Sequence, residues 1–480
     1  MTKSTPFTAA RTTAVAFAVL LATGCSFIPT YERPAAPVPT TYPAADAADA
    51  AASTAVADID WQDYFTDPRL HTLINLALRN NRDQHMAMLR VDQARAQFDI
   101  QRAAEYPAVN GIGSFTRQPN TSTGKYGSAY QVGLGITSWE IDFFGRIAAL
   151  KEQALAQFLA TDEARKAAQI SLVSTVASGW LTLVADEELL DLSRRTLRTR
   201  EESVQLTRLR LTNGVSSELD LRQAESLTEQ ARATLAQQER QRMQDENAMA
   251  LVLGQPLPAE IRASLTASRL AQAAPMQALP AGLPSALLER RPDIRQAEEQ
   301  LIAANANIGA ARAAFFPRIA LTAQVGTVSS ELSGLFKGGS WAFSLAPQAA
   351  LPIFDAGRNQ ANLEAAQIGR EIAVAQYEKS IQTAFREVAD ALAGRATLQM
   401  QLDAQQAQAR SDTRRFELSD LRYRNGVASY LDLLDAQRSL FASEQALVVT
   451  RLQKLQNQVA LYKVLGGGWS QQSEKLAAHP

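Results

Sequence analysis

Between Leu73 and Glu105 apolar residues recur at three-to-four spacing without a proline, which predicts a helix. From Ala108 to about Asp142 the chain switches to Gly, Thr, Ser and aromatic residues, predicting two strands and a loop. Ile147 to Leu211 then reads as one uninterrupted helix, and no proline falls between Pro119 and Pro256. Asn213-Gly214 ends it, since glycine takes the left-handed conformation readily, and Ser217 caps a further helix reaching Leu253. The same order then returns as a helix at 283–315, strands within 318–354, a helix at 358–424, a turn at Asn425-Gly426 and a helix at 429–465. A helix of about 65 residues is roughly 98 Å long, and helices of about 33 and 37 residues together reach roughly 105 Å. Two shorter helices laid end to end would match one long helix, predicting a rod or the wall of a tube.

The recurrence is a duplication. LRLTNGVSSELDLRQAE at 209–225 and LRYRNGVASYLDLLDAQ at 421–437 share ten of seventeen positions at an offset of 212. Gly145-Arg146 and Gly357-Arg358 keep that offset. Arg102-Ala103-Ala104 and Pro107 match Arg312-Ala313-Ala314 and Pro317 at 210, so a loop between Pro107 and Gly145 absorbs the two-residue change.

The strand segments alternate. Ile319, Leu321, Ala323 and Val325 share one face and Ala320, Thr322, Gln324 and Gly326 the other. Trp341, Phe343 and Leu345 alternate with Ala342, Ser344 and Ala346; Val132, Leu134 and Ile136 alternate with Gln131, Gly133, Gly135 and Thr137. One apolar and one small or polar face suits an outer-membrane barrel strand, and also a sandwich sheet. In lipid, four strands cannot close a barrel, so closure would need several chains. Trp139, Trp341 and Phe343 fit interior packing and interface anchoring equally.

Composition narrows the classes. Hydrophobic residues make up 46% and charged residues 20%, with a net charge of −1, so nothing favours nucleic acid. The Arg-rich run at 194–200 reads as a solvated helix face. No apolar run of about 20 residues is expected beyond the N-terminus, against a polytopic helical membrane protein. His71, His85 and His479 lack companions at ligand spacing, so no metal is expected, and neither GxxxxGK[ST] nor GxGxxG occurs at a strand-to-helix junction. No cofactor is expected beyond a lipid.

That lipid is expected at the only cysteine. Lys3 and Arg11 precede an apolar stretch from Thr12 to Leu21, a secretory signal peptide over 1–24. LATGC resembles a bacterial lipoprotein box, with Ala22 where a larger aliphatic is usual, and makes Cys25 the lipidated first residue. Several acyl chains there would anchor stably. Ser26 follows, rather than an aspartate resembling an inner-membrane retention signal. Residues 29–58, rich in Pro, Ala, Thr and Asp, read as an extended tether.

The Tyr106-Pro107 and Phe316-Pro317 junctions, the two Gly-Arg pairs, LRYRNGVASYLDLLDAQRSLF at 421–441 and LYKVLGGGW at 461–469 carry a resemblance over nearly the whole mature chain. The chain resembles the trimeric outer-membrane efflux ducts, in the lipoprotein branch serving resistance-nodulation-division pumps. The resemblance implies an α+β membrane protein: a homotrimer whose four strands per chain complete a twelve-stranded β-barrel, continuous with a periplasmic α-helical barrel. It implies a tether at 25–70, repeats at 71–254 and 283–465, and an equatorial collar drawn from the linker at 255–282 and the tail at 466–480. It places the protein in the outer membrane of a Gram-negative bacterium, as a passive exit duct for small molecules. A periplasmic adaptor (membrane fusion) protein and an inner-membrane resistance-nodulation-division pump are the implied partners.

The turns at Asn213, Gly214, Val215 and at Asn425, Gly426, Val427 would then form the periplasmic tip and contact the adaptor. Leu431 and Asp435, four apart on one helix face, would line the constriction, with Arg438 in the closing network. Three Asp435 carboxylates would make an acidic ring that repels itself and eases opening. Leu219 has the place of Leu431 in the first copy, but Gln223 that of Asp435, so the second hairpin is expected to carry the gate. Two other classes stay in view: an exit duct for ATP-driven protein secretion, and a non-pore periplasmic coiled-coil lipoprotein. The lipoprotein box and LDLLDAQ disfavour the first, and the two glycine- and aromatic-rich hairpins the second. An enzyme is disfavoured because neither repeat holds a cluster of acid, base and nucleophile.

Overall fold

The computed structural model describes residues 26–43, 56, 59–119, 124–274, 276, 277, 279 and 290–469. The expected signal peptide, Cys25, residues 280–289 and the tail from 470 lie outside the described residues. The chain divides into two compact units.

The first unit comprises residues 1–36, 89–162 and 296–379 and contains one antiparallel sheet in the order β1-β2-β3-β4. Its strands are β1 (Val109–Pro119), β2 (Tyr126–Glu140), β3 (Arg318–Ser329) and β4 (Trp341–Ala350). Their register puts Leu134 opposite Val325 and Val325 opposite Phe343, while Gly135 pairs with Gln324 and Gln324 with Ser344. The expected apolar and polar faces therefore run across the strands. Register shifts between Ile136 and Trp139, around Ser138 at a φ of 51°. Trp341 and Phe343 are exposed in the single chain and Trp139 is half-buried. At the end of β2, Glu140 accepts from Nε and Nη2 of Arg146 at 2.8 and 2.7 Å and meets Arg318 at 2.5 Å. The positive φ of Gly145, 70°, allows the turn that precedes Arg146.

Of the expected tether, residues 44–55, 57 and 58 lie outside the described residues; the stretch at 27–33 forms no helix or strand and is docked rather than free. It runs along the helix Pro292–Ala313. Phe27 stacks on Phe316 at 4.6 Å, and Phe144 stacks on the same ring at 5.0 Å. Asn305 donates to the Pro29 carbonyl at 2.7 Å, and Arg33 grips Glu298 with two bonds of 2.7 and 3.0 Å. Ile28 packs so closely on Gly309 that a side chain there would displace it. Proline-rich composition rules out a self-contained core, yet Phe27, Arg33 and Tyr31, whose hydroxyl donates to Glu298 at 3.0 Å, lay the segment along this helix.

The second unit comprises residues 37–88, 163–295 and 380–480. Numbered along the whole chain, the described helices are α1 (Trp61–Tyr64), α2 (Pro68–Asn80), α3 (Arg82–Ala103), α4 (Arg146–Thr212), α5 (Glu218–Leu253), α6 (Ala259–Leu265), α7 (Pro292–Ala313), α8 (Arg358–Arg424) and α9 (Tyr430–Val464). The helix expected over 73–105 is two helices. Asn81 interrupts it with extended backbone; its side-chain Oδ1 accepts from Gln84 N at 2.9 Å, capping α3, and its side-chain Nδ2 donates to the Val252 carbonyl at 2.8 Å. The second copy repeats the device with different chemistry. Arg291 precedes α7, donates to the Val464 carbonyl at 3.0 Å, and holds Asp293 and Glu387 at 2.6 and 2.8 Å. Asn81 and Arg291 keep the 210 offset, and Val252 and Val464 the 212 offset.

The core of this unit gathers Trp61, Tyr64, Phe65, Leu73, Ile74 and Tyr462, all under 3% exposed. Tyr64 and Tyr462 stack at 4.1 Å, and their hydroxyls donate to the Gln458 and Ile59 carbonyls at 3.0 and 2.6 Å. This explains the near-terminal glycines: the Tyr462 ring lies over Gly467, leaving no room for a Cβ. One 18-residue stretch of α4 is apolar enough to cross a bilayer by composition, contrary to expectation, but most of it is buried within the chain as core.

Candidate functional site

The two hairpin turns are built alike. Asn213 donates backbone and side-chain N–H to the Leu209 carbonyl at 3.1 and 2.7 Å, and Asn425 does the same to Leu421 at 3.1 and 2.7 Å. Gly214 and Gly426 both have a φ of 72°. Val215 N donates back to Arg210 O at 2.9 Å and Val427 N to Arg422 O at 3.0 Å, closing the left-handed cap that glycine permits. Ser217 with Asp220, and Ser429 with Asp432, then form reciprocal capping boxes that start α5 and α9. Burial pushes the Asp220 carboxyl up, but hydrogen bonds from Ser217 and Ser216 outweigh it and hold it below the usual range. Each turn leaves its valine exposed, Val215 at 63% and Val427 at 65%.

Behind the turns the hairpins share a buried cluster. Val204, Leu221 and Leu227 of the first pack with Tyr423, Tyr430, Leu433 and Leu434 of the second. Arg210 spans the two, donating to the Tyr423 carbonyl at 2.9 Å with its guanidinium 4.5 Å from the ring of that tyrosine.

Leu431 and Asp435 come together on one exposed face of α9, and both line a concavity of about 1160 Å³ between α8 and α9. Arg410, Arg414, Arg415 and Arg422 line it as well. Arg415 is the residue sequence reasoning missed: it pairs with Asp435 and also donates to Ser439 at 3.3 Å. Arg438, expected nearby in the closing network, is exposed on the same helix, and within one chain Asp435 pairs with Arg415. A signal was available. Arg415 and Asp435 lie ten residues either side of Asn425, the spacing at which antiparallel arms of a hairpin meet. In the first copy the corresponding positions are Ser203 and Gln223, so neither charge has a counterpart. The face is thus not purely acidic: each Asp435 is matched by a cation from its own chain. His71 meets the Phe65 carbonyl and lies edge-on to Trp61, and among the described residues no group of His, Cys, Asp and Glu could hold a metal.

The family description "Outer membrane efflux protein" matches this chain twice, over residues 73–255 and 283–467, the starts offset by 210 and the ends by 212. The solvent efflux pump outer membrane protein SrpC of Pseudomonas putida is 47% identical over 463 residues, covering 95% of this chain and 97% of its own length. Among solved structures, a membrane protein from Pseudomonas aeruginosa superposes with a TM-score of 0.85 at 43% identity, covering 93% of this chain and 98% of that one. The open state of the MtrE outer membrane channel of Neisseria gonorrhoeae gives 0.84 at 41%, covering 92% and 98%. With both repeats matched and nearly the whole length of these relatives spanned, the chain belongs to the outer membrane efflux protein family.

Proposed function

We propose that three copies of this chain assemble into one gated duct that carries small molecules out through the outer membrane. One observation carries this reading. The sheet ends in unpaired edges at β1 and β4, and it exposes an apolar face bearing Val132, Leu134, Val325, Trp341 and Phe343. In a bilayer unpaired strand edges are not tolerated, so copies must close the barrel edge to edge. The lipid at Cys25 is the only prosthetic group in this account, and the docked segment from Phe27 to Arg33 ties that anchor to α7. The linker at 255–282 and the tail from 466 supply the collar.

The duct is passive and catalyses nothing; an inner-membrane resistance-nodulation-division pump and a periplasmic adaptor supply energy and cargo. Leu431 and Asp435 line the constriction, Arg415 sets the charge of Asp435, and the exposed Arg438 reaches the neighbouring copy. Asn213, Gly214, Val215, Asn425, Gly426 and Val427 meet the adaptor, their exposed valines offering apolar contact. SrpC is named for solvent efflux, which favours small cargo over secreted protein. The native mass of the detergent-purified protein tests the assembly. A mass of three chains is expected, and a monomer under conditions that preserve folded sheet would overturn it.

A further inference from the structure

The Arg-rich run at 194–200 is not the uniform solvated face its composition suggests. Arg194, Arg195 and Arg198 are exposed, but Arg200 is only 6% exposed. It lies in the second unit at a cavity of about 310 Å³ walled by α4, by Phe416 of α8, and by Gln437, Leu440, Phe441 and Glu444 of α9. That volume sits at the lower end of the roughly 300–1,000 Å³ usual for small-molecule sites.

The cavity's polar groups are incompletely satisfied. Arg200 donates one N–H to the Leu227 carbonyl at 2.9 Å and stacks 5.5 Å over Phe441, while its Nε has no partner. Gln437 is 8% exposed, and its Oε1 is likewise unpartnered. A buried guanidinium without a carboxylate is costly, and the nearby charge of Arg438 adds repulsion. Arg195 and Arg198 line the cavity as well, against the single carboxyl of Glu444. Burial pushes that carboxyl up, and Arg195 pulls it down. Positive charge, two aromatic rings and one unfilled acceptor converge on one space.

We propose that this cavity binds a small aromatic acid. Its carboxylate accepts from the free edge of Arg200, its ring lies against Phe416 and Phe441, and a ring hydroxyl donates to Gln437 Oε1. Guanidinium and carboxylate match as a planar fork, which a neutral ligand cannot use. Because α4 belongs to the first repeat and α9 to the second, the bound acid bridges the two hairpins beside Arg438. The site lies within the chain wall and is independent of the concavity that holds Leu431 and Asp435.

The test is calorimetric titration of the detergent-purified full-length protein with 4-hydroxybenzoate, with its methyl ester as the uncharged control. Saturable binding of one acid per chain and none of the ester is expected. Arg200→Gln should weaken binding by about tenfold or more, the worth of a hydrogen bond to a charged group. Leu440→Trp, which fills the cavity and leaves every charge in place, should abolish binding. Arg232→Gln, on α5 outside the cavity, should bind as wild type. Circular dichroism and native mass establish that each variant is folded. Absence of saturable binding to wild type, equal binding of the ester, or unaltered binding by Leu440→Trp would overturn the proposal.

Discussion

Arg415 on α8 holds the carboxylate of Asp435 on α9, joining the two arms of the second hairpin ten residues either side of Asn425. The first hairpin has Ser203 and Gln223 at these places and is tied otherwise, by Arg208 to Glu225 at 3.1 Å and Arg232 to Glu201 at 2.9 Å. Only the second repeat therefore carries a charge pair on the face that bears Leu431. Removing either partner should loosen this hairpin, with opposite effects on ion selectivity.

Asp435→Ala should raise mean conductance in planar bilayers roughly two- to fivefold, in keeping with the modest worth of an exposed pair. It should also lower cation preference, because Arg415 is left unmatched. Arg415→Ala should raise conductance similarly but increase cation preference. Reversal potentials in a salt gradient check the sign, and equal selectivity in both variants would remove the pair from the pore.

Where the two repeats meet in the sheet, Gly133 pairs directly with Gly326, and a Cβ on either would overlap the facing strand's backbone. Gly133→Val should therefore reduce the amount of oligomer seen on unheated denaturing gels, whereas Ser128→Val, nearer the loop, should not. Normal oligomer levels in Gly133→Val would contradict the close approach.

Arg291 is 7% exposed and ties α7 to the end of α9. Arg291→Met leaves the buried Val464 carbonyl without its donor and two partly exposed carboxylates without their cation, and should cost about 2 kcal/mol. Asn81→Ala removes a helix cap and should cost about 1 kcal/mol. Thermal unfolding of the purified protein should rank the two in that order.

Asp186 is 5% exposed, and burial together with the hydrogen bond and charge of Asp245 pushes its carboxyl up to about 7. Glu187 adds to the rise and Arg242, itself bound to Glu187 at 2.7 Å, opposes it. An acid raised in the folded state favours folding while protonated. Its contribution is complete below the unfolded value near 3.8 and is lost as pH rises toward about 7. Asp186→Asn should therefore raise the melting temperature at pH 8 and flatten the fall that wild type shows between about pH 4 and 7. An unchanged pH profile would refute the assignment.

Much of this architecture is legible from residue order, because long helices, turn glycines and alternating strands leave local signatures. The helix over 358–424 and the turn at Asn425-Gly426 are such cases, and duplication reinforces each by showing it twice. Asn81 escapes because no glycine or proline marks the break; what stabilises its extended backbone is the distant Val252 carbonyl. Arg415 and Arg200 escape for a related reason. An arginine in a helical run looks solvated until the partner helix is placed, and only then does one meet Asp435 and the other disappear under Phe441. The docking of Phe27, Tyr31 and Arg33 is hidden in a proline-rich stretch for the same cause, since their partners Phe316 and Glu298 lie far along the chain.

Single-channel recording of the purified lipidated protein in planar bilayers, with native mass measured on the same sample, tests the duct most directly. Discrete low-conductance openings from an assembly of three chains are expected, with larger or more frequent openings once Asp435→Ala or Arg415→Ala is introduced. A monomer or dimer without conductance, or a three-chain assembly that stays silent in wild type and in both variants, would contradict the duct.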